Sequence, residues 1–257
     1  MNLEAPRCRR CDGRRFFHVR RMRDASLSYE DSRRIVEWRD RPVRASTGTE
    51  GEPIALGHFE TLICRRCGFT AWYAFDWTPA PTPLSPEPCA ECAAPTPHAR
   101  LPAVEHGGYR FEEVRITHGL LGREGFLSLS ICTGCGGCSW SGRDYAHLEP
   151  RHFVRYRVCD EPDRACMRCG AHAAIVDDAA REYDGFEIPI ALREHGLLHR
   201  VLGIARRIGG FQLRLCRPCG GVEWYARGLD DIDATEPLGI ALIGEEPERS
   251  SMGGPYR

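Results

Sequence analysis

Twelve of the fourteen cysteines fall in six C-x-x-C pairs: Cys8/Cys11, Cys64/Cys67, Cys89/Cys92, Cys132/Cys135, Cys166/Cys169 and Cys216/Cys219. Thiolates are soft metal ligands. A C-x-x-C turn aims two of them at one ion about 2.3 Å away, and two such turns complete a tetrahedron. One pair alone would be compatible with a thioredoxin-like redox motif. Redox catalysis needs one activated pair in a βαβ setting, and no such setting surrounds any of the six. A disulfide within a C-x-x-C pair closes a very short loop, and a reducing compartment disfavours it. The chemistry expected is four-thiolate metal binding with every ligand supplied by the chain, which leaves no coordination position for a catalytic water.

An internal repeat decides which pair joins which. The even-numbered pairs share a context: Leu62-Ile-Cys64-Arg-Arg-Cys67-Gly68 leads to Trp72-Tyr73, Ser130-Ile-Cys132-Thr-Gly-Cys135-Gly136 to Trp140, and Arg214-Leu-Cys216-Arg-Pro-Cys219-Gly220 to Trp224-Tyr225. Glycine suits a sharp turn with positive φ around a metal. The alternating residues that follow suit a strand, with the tryptophan expected to pack over the knuckle. Phe59, Phe126 and Phe211 stand just ahead of the first cysteine of each even pair. Each repeat therefore reads strand, knuckle, strand. The second and third repeats align without a gap at an offset of 77, which maps Cys89 onto Cys166 and His118-Gly-Leu-Leu121 onto His195-Gly-Leu-Leu198. Such self-similarity marks tandem units.

A C-x-x-C, a strand pair and a C-x-x-C-G followed by an aromatic strand resemble a zinc ribbon. The Cys-Arg-x-Cys-Gly…Trp-Tyr ending is similar to small bacterial zinc-ribbon proteins commonly labelled nucleic-acid-binding. The resemblance implies three tandem zinc ribbons, mainly β with little helix, each a small metal-stabilised domain. It also implies three structural zinc ions held by the twelve paired cysteines. The gaps between knuckles, 52, 39 and 46 residues, leave room for extra strands or loops. The Asp-Glu hairpin tip of transcript-cleavage ribbons has no equivalent here.

The elements that must position these ligands follow from the punctuation of the chain. Residues 1–78 form the expected first ribbon, residues 79–88 a proline-rich linker, residues 89–150 the second ribbon, residues 151–243 the third, and residues 244–257 a flexible tail. Seven of the 18 prolines lie between residues 78 and 97, which predicts a semi-rigid spacer that separates the first core from the rest. Residues 153–158 alternate like a strand. The best helix candidates are residues 29–39 and 197–207, the second weakened by Gly203. Each ribbon is short of apolar residues, so bound metal is expected to supply folding energy of about 10–16 kcal/mol per site.

Composition limits the function further. The chain has 257 residues and a formal net charge of −1, and all 35 basic residues are arginine. No apolar run approaches the roughly 18 residues of a membrane span, and no secretory leader pattern opens the chain; a cytoplasmic location without a membrane partner is expected. The charge is unevenly placed. Residues 1–44 hold 13 arginines against 7 acidic residues, and residues 228–257 hold 2 against 7. Any nucleic-acid contact is expected at the basic end, through Arg9, Arg10, Arg14, Arg15, Arg20 and Arg21, where arginines interleave with Phe16 and Phe17. Cys138 occupies the strand slot of Thr70 and Val222, so a packed residue is expected there rather than a ligand. Cys159 reads the same way. His195 and His199 are four apart but too far from Cys169 for a two-Cys, two-His finger, and His118 and His195 suggest a shared turn. No protease, phosphate-loop or nucleophile-elbow motif is present, and no small-molecule substrate is evident. The expected function is non-enzymatic: a zinc-binding module associated with nucleic acid or ribonucleoprotein. A protein-interaction adaptor is the alternative, and a rubredoxin-like iron carrier a third.

Overall fold

Each knuckle is set by the residue after its second cysteine. Gly68, Gly136 and Gly220 adopt φ of 74°, 72° and 68°, and each donates its N–H to the carbonyl of the first cysteine of its pair at 2.8–2.9 Å. That left-handed step reverses the chain and starts the returning strand, as expected of glycine there. In the computed structural model the described residues are 6–20, 22, 35–38, 54–76, 84–89, 91–92, 95–100, 126–143, 145, 156–160, 163–180, 187–194, 205–235 and 238–244.

Among these residues the protein is mainly β, with fifteen strands and one 3-10 turn at Leu229–Asp231. The three repeats build the same three-stranded antiparallel motif. In the first unit, β1 (Phe16–Val19) pairs with β3 (Ile54–Cys64), which turns through the knuckle into β4 (Phe69–Phe75); β2 (Ile35–Trp38) pairs with the far end of β3. In the second, β6 (Pro95–Arg100) pairs with β7 (Phe126–Cys132), which returns as β8 (Cys138–Arg143). In the third, β10 (Ala173–Asp177) pairs with β13 (Gly210–Cys216), which returns as β14 (Val222–Arg227). The register repeats too: Phe16, His98 and Ala174 lie opposite Cys64, Cys132 and Cys216.

A fourth strand covers the free edge of each motif. β5 (Leu84–Pro88) pairs with β6, and β9 (Tyr156–Asp160) pairs with β10. The matching strand on β1 is β15 (Ile240–Ile243), which follows the third unit in sequence. β11 (Ala191–Glu194) and β12 (Ala205–Ile208) form a separate hairpin.

The units join around a pseudo-threefold arrangement. Ala74 donates its N–H to the Gly136 carbonyl, Gly142 to Gly220, and Ala226 to Gly68, all at 2.7–2.8 Å. The bridges Tyr73 to Gly137, Ser141 to Gly221 and Tyr225 to Phe69 occupy equivalent positions. Inside this ring the three repeat tryptophans meet edge to face. Trp72 is 6.2 Å from Trp140 and 5.4 Å from Trp224, and Trp140 is 5.5 Å from Trp224. Such pairs add about 0.5–1.5 kcal/mol each beyond the area they bury.

Strand parity corrects the expectation that each tryptophan packs over its own knuckle. Phe59, Thr61 and Ile63 face the core while Glu60, Leu62 and Cys64 face the other way, because successive strand residues alternate. Trp72 lies opposite Thr61, Trp140 opposite Leu129 and Trp224 opposite Leu213, so all three share the core face. The knuckle side is covered instead by Phe16, Phe69, Tyr73 and Tyr225, a smaller cluster that includes Cys8 and Cys64.

The separate cores expected from the proline spacer are also corrected. One apolar core takes Phe17, Ile63 and Trp72 from the first unit, Leu127, Ile131 and Trp140 from the second, and Phe211, Leu215 and Trp224 from the third. β4 pairs directly with β14, so first and third units share one nine-stranded sheet. Residues 84–88 of the expected linker are strand β5; Pro86 and Pro88 fit there because an edge strand needs only half its N–H groups. Of the helix expected at 29–39, residues 35–38 are strand β2, and of that expected at 197–207, residues 205–207 lie in β12. In both, pairing with a neighbouring strand overrides a weak helical pattern. The remaining residues of those two segments, the His118, His195 and His199 positions and residues 245–257 lie outside the described residues. The strand expected at 153–158 is β9 from residue 156 onward.

Candidate metal centres

The fold brings the twelve paired cysteines together as three groups: Cys8, Cys11, Cys64 and Cys67; Cys89, Cys92, Cys132 and Cys135; and Cys166, Cys169, Cys216 and Cys219. Within each group every Sγ lies within 4.8 Å of the others. Across the paired turns Cys8 and Cys67 are 3.6 Å apart, Cys11 and Cys64 3.6 Å, Cys89 and Cys135 3.5 Å, and Cys92 and Cys132 3.8 Å. Cys166 and Cys219 are 3.8 Å apart and Cys169 and Cys216 3.5 Å. A tetrahedron of sulfurs about 2.3 Å from a central ion has edges of about 3.8 Å. A disulfide needs about 2.05 Å, and none of the fourteen cysteines is in one. The donor set therefore fits a tetrahedral, thiophilic metal ion.

Local structure explains how each group forms. The even pair sits where a core strand ends, with Cys64, Cys132 and Cys216 buried and their partners Cys67, Cys135 and Cys219 less so. The odd pair is drawn in by the first strand of the unit. Knuckle N–H groups point at the sulfurs: Gly137 at Cys135, Arg168 at Cys166 and Gly221 at Cys219, each at 3.4 Å. The Thr96 hydroxyl stands 3.1 Å from Cys132 Sγ. These donors favour thiolate over thiol. The third group is the most open, because Cys169 is exposed.

The thiols ionise unequally. Hydrogen bonds from Cys67 and then Cys8 hold Cys64 down to about 2, and the same pairing with Cys64 drives Cys67 up. Cys169 is lowered to about 7, chiefly by the Ala171 N–H. Burial opposes ionisation of Cys132, yet the Thr96 hydroxyl and the N–H groups of Cys135 and Gly134 bring it to about 6. A doubly charged cation lets all four sulfurs ionise together, so loading each group releases protons.

The two remaining cysteines stay outside the groups, as expected. Cys138 packs against the core, its Sγ 3.6 Å from the Gly136 carbonyl, and burial pushes its thiol up. Cys159 lies on β9 with the Arg157 guanidinium at 3.3 Å.

The arginines expected to contact nucleic acid do not share one role. Arg9 is exposed, lies 3.4 Å from Glu91 of the second unit and stacks over Phe69 at 5.9 Å. Arg10 donates to the Ala165 carbonyl of the third unit. Both therefore tie units together. Arg14 and Arg20 are exposed and Arg15 half-buried; Arg21 lies outside the described residues.

Two buried polar pairs escaped the sequence reading. His18 Nε2 is 2.7 Å from Glu60 Oε2, both buried on the outer face of β1 and β3. In the third unit Arg214 is 1% exposed, with Glu223 at 3.8 Å and the Arg164 and His172 carbonyls as acceptors. Glu223 in turn accepts from the Tyr225 hydroxyl at 2.7 Å and the Met167 N–H at 2.8 Å, which fixes the third odd knuckle to β14. Only the parity of β13, where Arg214 opposes Glu223, could have signalled it.

No family model matches the chain, and neither a curated protein nor a solved structure matches it. Among the described residues no helix is long and apolar enough to cross a membrane.

Proposed function

We propose that the protein is a non-catalytic zinc-binding module that associates with nucleic acid or ribonucleoprotein through its basic first unit, in the cytoplasm. The observation that carries the zinc assignment is the closure of each group by four thiols of the chain, at spacings suited to a tetrahedral ion. Zinc favours such all-sulfur sites and needs no redox partner. With four protein ligands the ion is structural: it ties the strand ends of a unit together and leaves no position for substrate. Arg7, Arg9, Arg14 and Arg20, exposed on the first unit, support the nucleic-acid reading. The protein-adaptor alternative rests on Phe75, Met167 and Leu242, large apolar side chains that are 38–49% exposed.

Elemental analysis of the purified chain tests the metal: three zinc per chain and a colourless protein are expected. Iron at the same ratio, with its visible colour, would replace zinc with a rubredoxin-like carrier. A salt-dependent anisotropy change with labelled oligonucleotides is expected for the binding function. Its absence at low salt transfers the assignment to the adaptor.

A further inference from the structure

The tips of the C-x-x-C turns gather arginine from different parts of the chain. The two residues enclosed by each pair include Arg9, Arg10, Arg65, Arg66, Arg168 and Arg217, all in the first and third units. The fold makes those two sets of tips neighbours. Arg10 of the first donates to Ala165, directly before Cys166 of the third. Phe69 and Tyr225 sit edge to face at 5.9 Å across the same junction. Arg9 lies over the Phe69 ring at 5.9 Å and Arg164 over the Tyr225 ring at 5.1 Å. Two guanidinium groups thus stand over two aromatic rings that touch each other edge to face.

Arg7 and Arg9 have acidic neighbours in Asp12 and Glu91. Arg65, Arg66, Arg164, Arg168 and Arg217 are exposed, and none of them makes an ion pair among the described residues. The second unit offers Glu91, Thr133 and Gly134 at its tips instead. Each loaded four-thiolate site carries a formal −2. The enclosed arginines outnumber that charge at the first site and match it at the third, and at the second it is left standing.

We propose that this composite arginine surface, built by the first and third units together, binds the phosphate backbone of single-stranded nucleic acid. The inference rests on the nucleic-acid reading above but moves the interface from residues 7–23 to the knuckle tips. Planar guanidinium forks hydrogen-bond phosphate bidentately. Guanidiniums held over aromatic rings are positioned beside π-faces of the kind on which bases stack. Charge alone would admit an acidic polypeptide; the mixture of arginine with Phe69 and Tyr225 favours nucleic acid. The tips of the second unit, which enclose no arginine, direct the strand toward the first and third.

The test uses the zinc-loaded full chain and a labelled oligo-deoxythymidine of about 20 nucleotides, long enough to cover one binding face. Two variants are compared, R65Q/R66Q/R168Q/R217Q and R14Q/R20Q/R21Q, each checked for three zinc and an unchanged near-ultraviolet spectrum. The first should lose affinity by about 30-fold or more at low salt and flatten the salt dependence by roughly 3 in log–log slope, at about 0.7 per phosphate contact. The second should change affinity less than about threefold, since it removes few backbone contacts. Loss in the second variant with retention in the first overturns the proposal and restores the N-terminal run. Binding of polyglutamate without binding of the oligonucleotide overturns it in favour of an acidic protein partner. No binding of any oligonucleotide by the parent removes the underlying nucleic-acid reading as well.

Discussion

The Ala226 N–H donates to the Gly68 carbonyl at 2.7 Å, linking the returning strand of the third unit to the knuckle of the first. The same bond runs from first to second and from second to third, so the three units close a cycle and none of them is terminal. Stability should therefore be shared rather than summed unit by unit, unlike an open repeat array.

Cys216→Ser tests this. A structural zinc site brings about 10–16 kcal/mol, comparable with the whole stability of a domain, about 5–15 kcal/mol. Losing the third site should unfold all three units in one transition, although the sequence alone suggested that the first would survive. Tryptophan fluorescence and zinc release should lose their native signals together. A variant that keeps two bound zinc ions and a native-like first unit would show that the cycle is dispensable.

Glycine substitutions separate backbone strain from crowding. Gly68 and Gly170 have nearly the same φ, 74° and 75°. A Cβ at Gly68 would stand 2.7 Å from the Ala226 carbonyl oxygen, whereas one at Gly170 meets nothing within 4 Å. Gly170→Ala should cost only the left-handed penalty, about 1–2 kcal/mol. Gly68→Ala must also break the bond that closes the cycle and should cost clearly more. Equal shifts in urea midpoint would refute the role given to that contact.

Strand β15 gives a test of where the core ends, because Ile240 and Leu242 share one face but only Ile240 belongs to the core cluster. Ile240 is 3% exposed and Leu242 38% exposed. Ile240→Ala should destabilise by about 2–5 kcal/mol, as core truncations do, and Leu242→Ala by under about 1 kcal/mol. The thermal midpoints of the two variants provide the measurement. A larger loss for Leu242 would mean that the core covers the far end of β15 instead.

Alkaline pH should weaken the fold. Burial, reinforced by Glu91 and Glu223 respectively, raises Tyr73 and Tyr225 above the ordinary phenol value. An unfolded tyrosine ionises near pH 10, so above that point the unfolded chain releases protons that the folded one keeps. Stability contributed by these phenols is complete below pH 10 and lost as pH rises toward their folded values. Urea midpoints at pH 8 and 11 should show the fall, and Tyr73→Phe with Tyr225→Phe should flatten it. An unchanged slope in the double variant would assign the alkaline loss to other groups.

Much of the candidate site was legible because four thiols that can close on one ion need a fixed spacing. The six C-x-x-C pairs, the glycine that follows and the repeat offset singled out the twelve cysteines that the fold gathers into three groups. The β character followed from the same pattern. What was not legible is long-range. Nothing local to Trp72, Trp140 or Trp224 says that they meet one another; that depends on strand parity relative to the cysteines, which shifts if a strand slips by one residue. The proline-rich stretch looked like a spacer because Pro86 and Pro88 cannot donate to a ladder, yet an outer edge does not ask them to. The buried Arg214–Glu223 pair is a cross-strand contact whose partners are nine residues apart only because the knuckle folds between them.

The strand that covers β1 has a further consequence for the order in which the molecule is made. Units two and three have their edge strands, β5 and β9, ready before their cysteines leave the ribosome. The first unit must wait for Ile240–Ile243, which are translated after every one of the twelve paired cysteines. Until then a nascent chain can hold metal at its first cysteine group while β1 still shows an unpaired edge, the kind of surface that captures other chains. The earliest unit to be synthesised is thus the last to be finished, and its exposure during translation is where crowding and misassembly would act.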